Sequence, residues 1–290
     1  MAKRTTKPKK TTVPNPAMTT MPSDPFAHLP TVAGLFQSIQ RDRVGMERAL
    51  ATRGTPDPQA DAILAELRSL EEHAVDYLTN RCERSSAYTW LRGNKGIGER
   101  LAGMLIGLID IRRADTVSAL WRYAGFAVVC GAPAVAGKVT TEMVDAVDDD
   151  GQAIKRRQPK LCRLQFGLNG LCPTHGKAPG VSEQRRKGVK LAYNIKLKKT
   201  CFLLARSFLL FQTPVYYQEY VRAKEFYIAE RPTWPDGRRD LAARRRAIKL
   251  FLSHLWTTWR TAEGLPVGEP YAFAKLEGHT KYITPPNHAA

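Results

Sequence analysis

The sequence predicts a mainly α-helical fold: a helix-hairpin-helix core, a coiled-coil-like helix ahead of it and an irregular insertion after it. Three observations carry this expectation. Long stretches space their apolar residues three and four apart, the period of a helix that buries one face. Pro and Gly fall mostly between those stretches. The run Lys95-Gly96-Ile97-Gly98-Glu99-Arg100-Leu101-Ala102 reads as a tight Gly-x-Gly turn that opens onto an apolar helix. A length of 290 residues is enough for one large or two small domains.

Residues 1–30 are rich in Lys, Thr and Pro, and Lys3, Arg4, Lys7, Lys9 and Lys10 come with no acidic residue among the first twenty. Such a segment has no apolar face to bury and is expected to be a disordered basic arm, either solubilising or in contact with nucleic acid. Residues 31–84 are expected to be helical. An amphipathic helix spans 32–53, Pro56 and Pro58 interrupt it, and a second helix runs over 59–81. In that second helix Ala60, Ile63, Leu67, Leu70, Ala74 and Tyr77 follow the spacing of a coiled-coil seam. The seam is short, so packing within the chain is the main expectation and a homodimer the alternative.

Residues 85–127 form the predicted central unit. Tyr88, Trp90 and Leu91 lead into the hairpin, and a second helix runs from Ile97 towards Ile111. After Arg112 and Arg113, Asp115 or Thr116 caps a helix through Val117, Leu120, Trp121 and Tyr123 that ends at Gly125. Residues 128–184 are read as the irregular insertion. They hold scattered Gly and Pro, an acidic patch (Asp145, Asp148, Asp149, Asp150), a basic patch (Lys155, Arg156, Arg157, Lys160) and a short strand near Val139–Val144. Residues 185–290 are read as a basic helical region. Seven Lys or Arg between Arg185 and Lys199 lead into a helix that breaks before Pro214. Another helix carries Tyr216, Tyr220, Phe226 and Tyr227, and the last long helix, over 239–262, buries Ile248, Phe251, Leu252, Leu255 and Trp259.

The formal net charge of +18 points to polyanionic partners and salt-dependent binding. No apolar run is long and uninterrupted enough to span a bilayer, and the charged N-terminus lacks a secretory signal pattern. Five cysteines, an odd number, argue against a secreted disulfide framework and for a reducing cytoplasm.

The hairpin carries the sharpest functional expectation. Gly96 and Gly98 would allow a tight turn at positive φ, and the N–H groups of Gly96, Ile97, Gly98 and the next helix would line a small anion site. Lys95, Arg100, Arg112 and Arg113 would add charge beside it. A helix-hairpin-helix of this kind grips the nucleic-acid backbone without reading sequence. The plainer alternative is a helix–helix turn with glycine caps. Arg185, Arg186, Lys187 and Lys190 form a second expected contact zone, and Arg244, Arg245 and Arg246 a third. Valine at both Gly96 and Gly98 is expected to weaken binding and leave the fold intact.

A second constellation involves metal. Cys172-Pro173-Thr174-His175 has the C-x-x-H spacing of a zinc knuckle, Cys162 precedes it by ten positions, and Cys130 is the natural fourth ligand. A structural zinc would explain how an irregular insertion stays ordered. The alternative is four residues that are simply buried or in loops. Cys82 and Cys201 are expected in the helical core, as is His254. The aromatics Tyr193, Tyr216, Tyr217, Tyr220, Trp256, Trp259 and Tyr271 could stack on unpaired bases, although helical spacing places most of them in the core.

The residues Ile97-Gly98, Ile109-Asp110-Ile111-Arg112-Arg113 and Leu120-Trp121-Arg122-Tyr123-Ala124-Gly125 resemble the C-terminal domain of the insertion-sequence transposases that combine an RNase-H-like DEDD domain with a catalytic serine. The resemblance runs from Trp90 to Phe126 and continues more loosely over 187–210. It implies DNA association in mobile-element transposition or recombination. The residues ahead of the coiled-coil-like helix are too few and too rich in Pro and Lys to form the family's nuclease-like domain. The family's serine follows the Tyr-Ala-Gly motif, whereas no serine occurs between Ala127 and Gly180. Ser182, beside Arg185 and Arg186, would be a displaced nucleophile or a plain loop residue. The expected function is therefore phosphate-directed DNA binding. The alternative is a structured-RNA-binding or assembly protein that uses the same basic faces.

Overall fold

The computed structural model describes residues 26–54, 57–134, 141–147, 153–162, 172–178, 180–182, 191–268 and 283–286. These form eight α-helices: α1 (Leu29–Arg53), α2 (Pro58–Cys82), α3 (Ser86–Arg92), α4 (Glu99–Leu108), α5 (Val117–Tyr123), α6 (Ile195–Leu210), α7 (Tyr216–Glu230) and α8 (Asp236–Ala262). Four short strands are β1 (Val128–Cys130), β2 (Thr141–Val147), β3 (Ala153–Pro159) and β4 (Gly180–Ser182). The basic arm, apart from its last residues, and the zone Arg185, Arg186, Lys187 and Lys190 lie outside the described residues.

Local chemistry sets the helix ends. Asp57 caps α2, its carboxylate accepting from the Gln59 and Ala60 N–H groups at 3.1 and 3.2 Å, and Pro58 fills the first turn, where no N–H is needed. Gly54 closes α1 in the left-handed region at φ 68°. Thr116 caps α5, and Asp110 caps the 3-10 turn Ile111–Arg113.

α1 and α2 are antiparallel, as the cross-links Arg43–Glu71 and Glu47–Arg68 require. α4 packs against both, closely enough that a Cβ at Gly107 would stand 3.0 Å from the Ala33 Cβ. α7 and α8 form a second antiparallel pair, tied by Tyr220 to Asp240 at 2.6 Å. α8 is the spine of the body, touching α3, α5, α6 and α7. Its Ile248, Phe251, Leu252, Leu255 and Trp259 are buried as their spacing predicts. Together with Leu91, Leu105, Leu120, Leu204 and Phe208 they make one continuous core.

The buried face of α2 differs from the expected seam. Leu64, Glu71, Ala74, Leu78 and Cys82 face inward, while Ile63 and Leu70 are half exposed. The face is rotated by about one residue, and this brings the Glu71 carboxylate onto it. Arg43, Gln40 and Arg100 compensate it there. His254 is buried and satisfied: its ring nitrogens meet the Tyr216 hydroxyl at 3.1 Å and the Ile283 carbonyl at 2.7 Å. Cys82 and Cys201 are fully buried in helices, where burial pushes both thiols up to about 12.

The insertion contains every strand among the described residues. β1 pairs antiparallel with β4. Past β1 the chain turns to the returning segment, with the Ala134 N–H donating to the Lys160 carbonyl and the Cys162 N–H to the Ala132 carbonyl, each at 2.8 Å. β2 and β3 then pair through seven residues each and place Asp145 opposite Lys155. Ser182 is the last residue of β4, paired with Val128. Asp148, Asp149 and Asp150 lie outside the described residues.

Candidate nucleic-acid interface and metal centre

α3, the turn over 93–98 and α4 make the helix-hairpin-helix. The two glycines have different jobs. Gly96 adopts φ 87°, whereas Gly98 is extended at φ −80° and serves as the N-cap of α4. The expectation of positive φ at both is corrected to Gly96 alone. Ile97 between them is a core residue, and its N–H donates to the Asn94 carbonyl at 3.0 Å, so it is not an open anion donor.

The turn is held from behind by residues with no evident signal in the local sequence. Ser207 at the end of α6 donates to the Gly96 carbonyl at 2.5 Å, and Thr213 donates to the Lys95 carbonyl at 2.7 Å. Arg92 donates to the Ile97 carbonyl at 3.1 Å and lies 3.5 Å from the Glu99 carboxylate. A Cβ at Gly96 would meet the Ser207 Oγ at 2.8 Å and the Phe211 Cδ2 at 2.9 Å; at Gly98 the nearest atom would be an Arg92 nitrogen at 3.9 Å. Valine at Gly96 therefore disturbs the fold, contrary to the sequence expectation, and Gly98 is the glycine that can be changed alone.

The front of the turn faces solvent. Lys95 and Gly98 are exposed, and among the described residues no side chain caps the N-terminus of α4, whose N-cap is Gly98. The first-turn N–H groups of α4 and the positive end of its dipole therefore open to solvent three residues on from the exposed Lys95. Arg100 points elsewhere: it lies over the Phe36 ring at 5.6 Å and 3.7 Å from Glu71. Arg112 and Arg113 are exposed, but the ten residues of α4 place them about 15 Å along the helix from the hairpin, not beside it. They sit on a turn that α8 clamps, with the Arg260 guanidinium donating to the Ile111 and Ala114 carbonyls at 3.0 Å each. Arg112 also pairs with Glu263 at 3.4 Å.

The three arginines of the third expected zone each engage a partner on the protein, and Arg246 remains exposed. Arg244 pairs with Asp240 at 2.8 Å, and Arg246 with Glu219 at 3.3 Å. Arg245 donates to the Phe126 and Ala127 carbonyls at 2.6 and 2.9 Å, fixing the exit from α5. One turn on, the Lys249 ammonium lies 3.8 Å from the centre of the Trp121 ring. Burial, then Arg245 and Arg246, bring its pKa down to about 8. Of the run between Arg185 and Lys199, Lys196, Lys198 and Lys199 lie on the first turns of α6, with Lys198 over the Tyr193 ring at 4.3 Å. Tyr216, Tyr220, Trp256 and Trp259 belong to the core; Tyr193 and Tyr217 are partly exposed, and Tyr271 lies outside the described residues.

Cys130, Cys162, Cys172 and His175 come together in the insertion, their ligand atoms all within 4.8 Å of one another. The Cys130 Sγ is 3.7 Å from the His175 Nδ1, the Cys172 Sγ is 3.6 Å from the same nitrogen, and the Cys162 and Cys172 sulfurs are 3.8 Å apart. Three pieces of backbone bring them there. Cys130 ends β1, Cys162 sits on the returning segment, and Cys172 and His175 occupy a turn closed by paired bonds between Cys172 and Gly176 at 2.7 and 2.8 Å. Burial raises the Cys130 thiol. Burial would raise Cys172 as well, but hydrogen bonds from the Thr174 and His175 backbone and the His175 ring bring it down to about 6.

Comparison with family models, curated proteins and solved structures finds no match. Among the described residues, no helix is long and apolar enough to cross a membrane.

Proposed function

We propose that this chain binds the phosphate backbone of DNA through the hairpin at 93–98, in mobile-element transposition or recombination. The observation that carries the reading is the α4 N-terminus, uncapped and exposed beside Lys95, in a chain with a net charge of +18. A phosphate at that position accepts from the first-turn N–H groups and meets the ammonium of Lys95. Glu99 in the same turn would oppose it, and Arg92 offsets that carboxylate. Contacts of this type fix position without reading bases, so binding tolerates sequence and weakens steeply with salt. Arg112 and Arg113, about 15 Å away, would meet a different phosphate, and the basic run that leads into α6 adds charge. The resemblance of residues 90–126 to transposase C-terminal domains favours DNA as the polyanion.

The test is a salt series of binding to duplex DNA, branched DNA and structured RNA of matched length. Tight, steeply salt-dependent DNA binding supports the proposal. A preference for structured RNA at equal salt moves the function to RNA recognition, and no binding at low salt overturns it.

A further inference from the structure

We propose that Cys130, Cys162, Cys172 and His175 bind one Zn2+ ion as a closed structural site, and that this ion is the junction on which the insertion folds.

The distances test the assignment directly. A tetrahedral zinc with bonds of about 2.3 Å to sulfur and about 2.0–2.1 Å to nitrogen separates two sulfurs by about 3.8 Å and a sulfur from a nitrogen by about 3.6 Å. The cluster has 3.8 Å between the Cys162 and Cys172 sulfurs, and 3.6 and 3.7 Å from the His175 nitrogen to Cys172 and Cys130. These three separations match edges of a zinc tetrahedron, and every ligand atom lies within 4.8 Å of the others. A disulfide needs sulfurs about 2.05 Å apart, far inside the observed separation. Three thiolates and one imidazole are a preferred zinc set, and four protein ligands leave no position for water or substrate, so the site is structural rather than catalytic.

Its place in the fold gives the ion a role. The segment that begins with β1 leaves β4 at Cys130 and meets the returning segment at Ala132–Ala134. One ligand lies at the hand-over, one on the returning segment and two in the Cys172–Gly176 turn. The ion therefore ties together three pieces of backbone that are distant in sequence. Val129, Cys130 and Cys172 are buried at this junction. Metal binding supplies folding free energy at such a junction.

The experiment uses the full chain. Purified protein is expected to contain one zinc per chain. A chelator then exposes three reactive thiols, those of Cys130, Cys162 and Cys172, while the fully buried Cys82 and Cys201 stay silent. Metal removal leaves the helical circular-dichroism signal in place and opens residues 128–182 to protease. Replacing zinc with Co2+ produces the intense visible bands of a tetrahedral thiolate site. H175C keeps the metal as a four-cysteine site, and C172S loses it. Cluster thiols that react before chelation, a Cys162–Cys172 disulfide, bound iron, or a weak octahedral Co2+ spectrum would each overturn the proposal. The wild-type measurements stand even if a variant fails to fold. DNA binding is a separate readout, so failure here leaves the hairpin proposal to its own test.

Discussion

Replacing Gly96 with alanine tests how the hairpin is built. At φ 87° a residue with a Cβ costs about 1–2 kcal/mol. The added methyl would lie 2.8 Å from the Ser207 Oγ and 2.9 and 3.2 Å from two atoms of Phe211. Overpacking of this kind costs about 1–3 kcal/mol, and moving Ser207 also endangers its bond to the Gly96 carbonyl. The sum centres on about 3.5 kcal/mol, or a fall in Tm of about 7–14 °C for a body of this size. The control is Gly98→Ala, where the backbone is already extended and the nearest atom is 3.9 Å away. There only the weaker capping of alanine acts, about 1 kcal/mol or less. Thermal unfolding followed by far-ultraviolet circular dichroism reads both. A Gly96→Ala protein that melts within about 2 °C of wild type would refute the packing account, because a clash between Gly96 and α6 must appear in stability.

Two other perturbations separate structural from binding charges. Arg245→Met removes both donors to the Phe126 and Ala127 carbonyls, and it is expected to lower stability by about 2–3 kcal/mol in urea denaturation while leaving DNA affinity at low temperature unchanged; a stable variant with weak DNA binding would return Arg245 to the interface. Lys249 gives a pH signature: with its folded pKa near 8 against 10.5 unfolded, the unfolded chain binds more protons between those values, so stability from this group rises through pH 8–10.5, by at most about 3 kcal/mol. Cys82 and Cys201 act in the opposite sense above pH 9, so the reading is the difference between wild type and Lys249→Met, which should move in favour of wild type as pH rises. A pH-independent difference would mean that Lys249 is not desolvated.

The helical body was legible because its signals are local. Asp57-Pro58 caps a helix whatever surrounds it, and the spacing of Ile248, Phe251, Leu252, Leu255 and Trp259 needs only a core on one side. The face of α2 was not, since burial of Glu71 depends on Arg43 from another helix. The two hairpin glycines look equivalent in sequence. What separates them is Ser207 and Phe211, more than a hundred positions away. Likewise Arg244, Arg245 and Arg246 read as one basic patch, yet each has its own partner: Asp240, two backbone carbonyls and Glu219. The Cys172-x-x-His175 spacing pointed to a cluster, and the pairing of Ala132–Ala134 with Lys160–Cys162 is what brings Cys162 within reach of it.

The most direct test of the central claim compares wild type with Lys95→Gln and Gly98→Val in a titration of duplex DNA against salt, after melting curves show all three folded. The account predicts that log K falls linearly with log salt for wild type, that Lys95→Gln weakens binding equally across DNA sequences and reduces the slope by about 1, and that Gly98→Val weakens it by crowding the α4 N-terminus. Affinities and slopes unchanged in both folded variants would contradict it and leave the hairpin a purely structural turn.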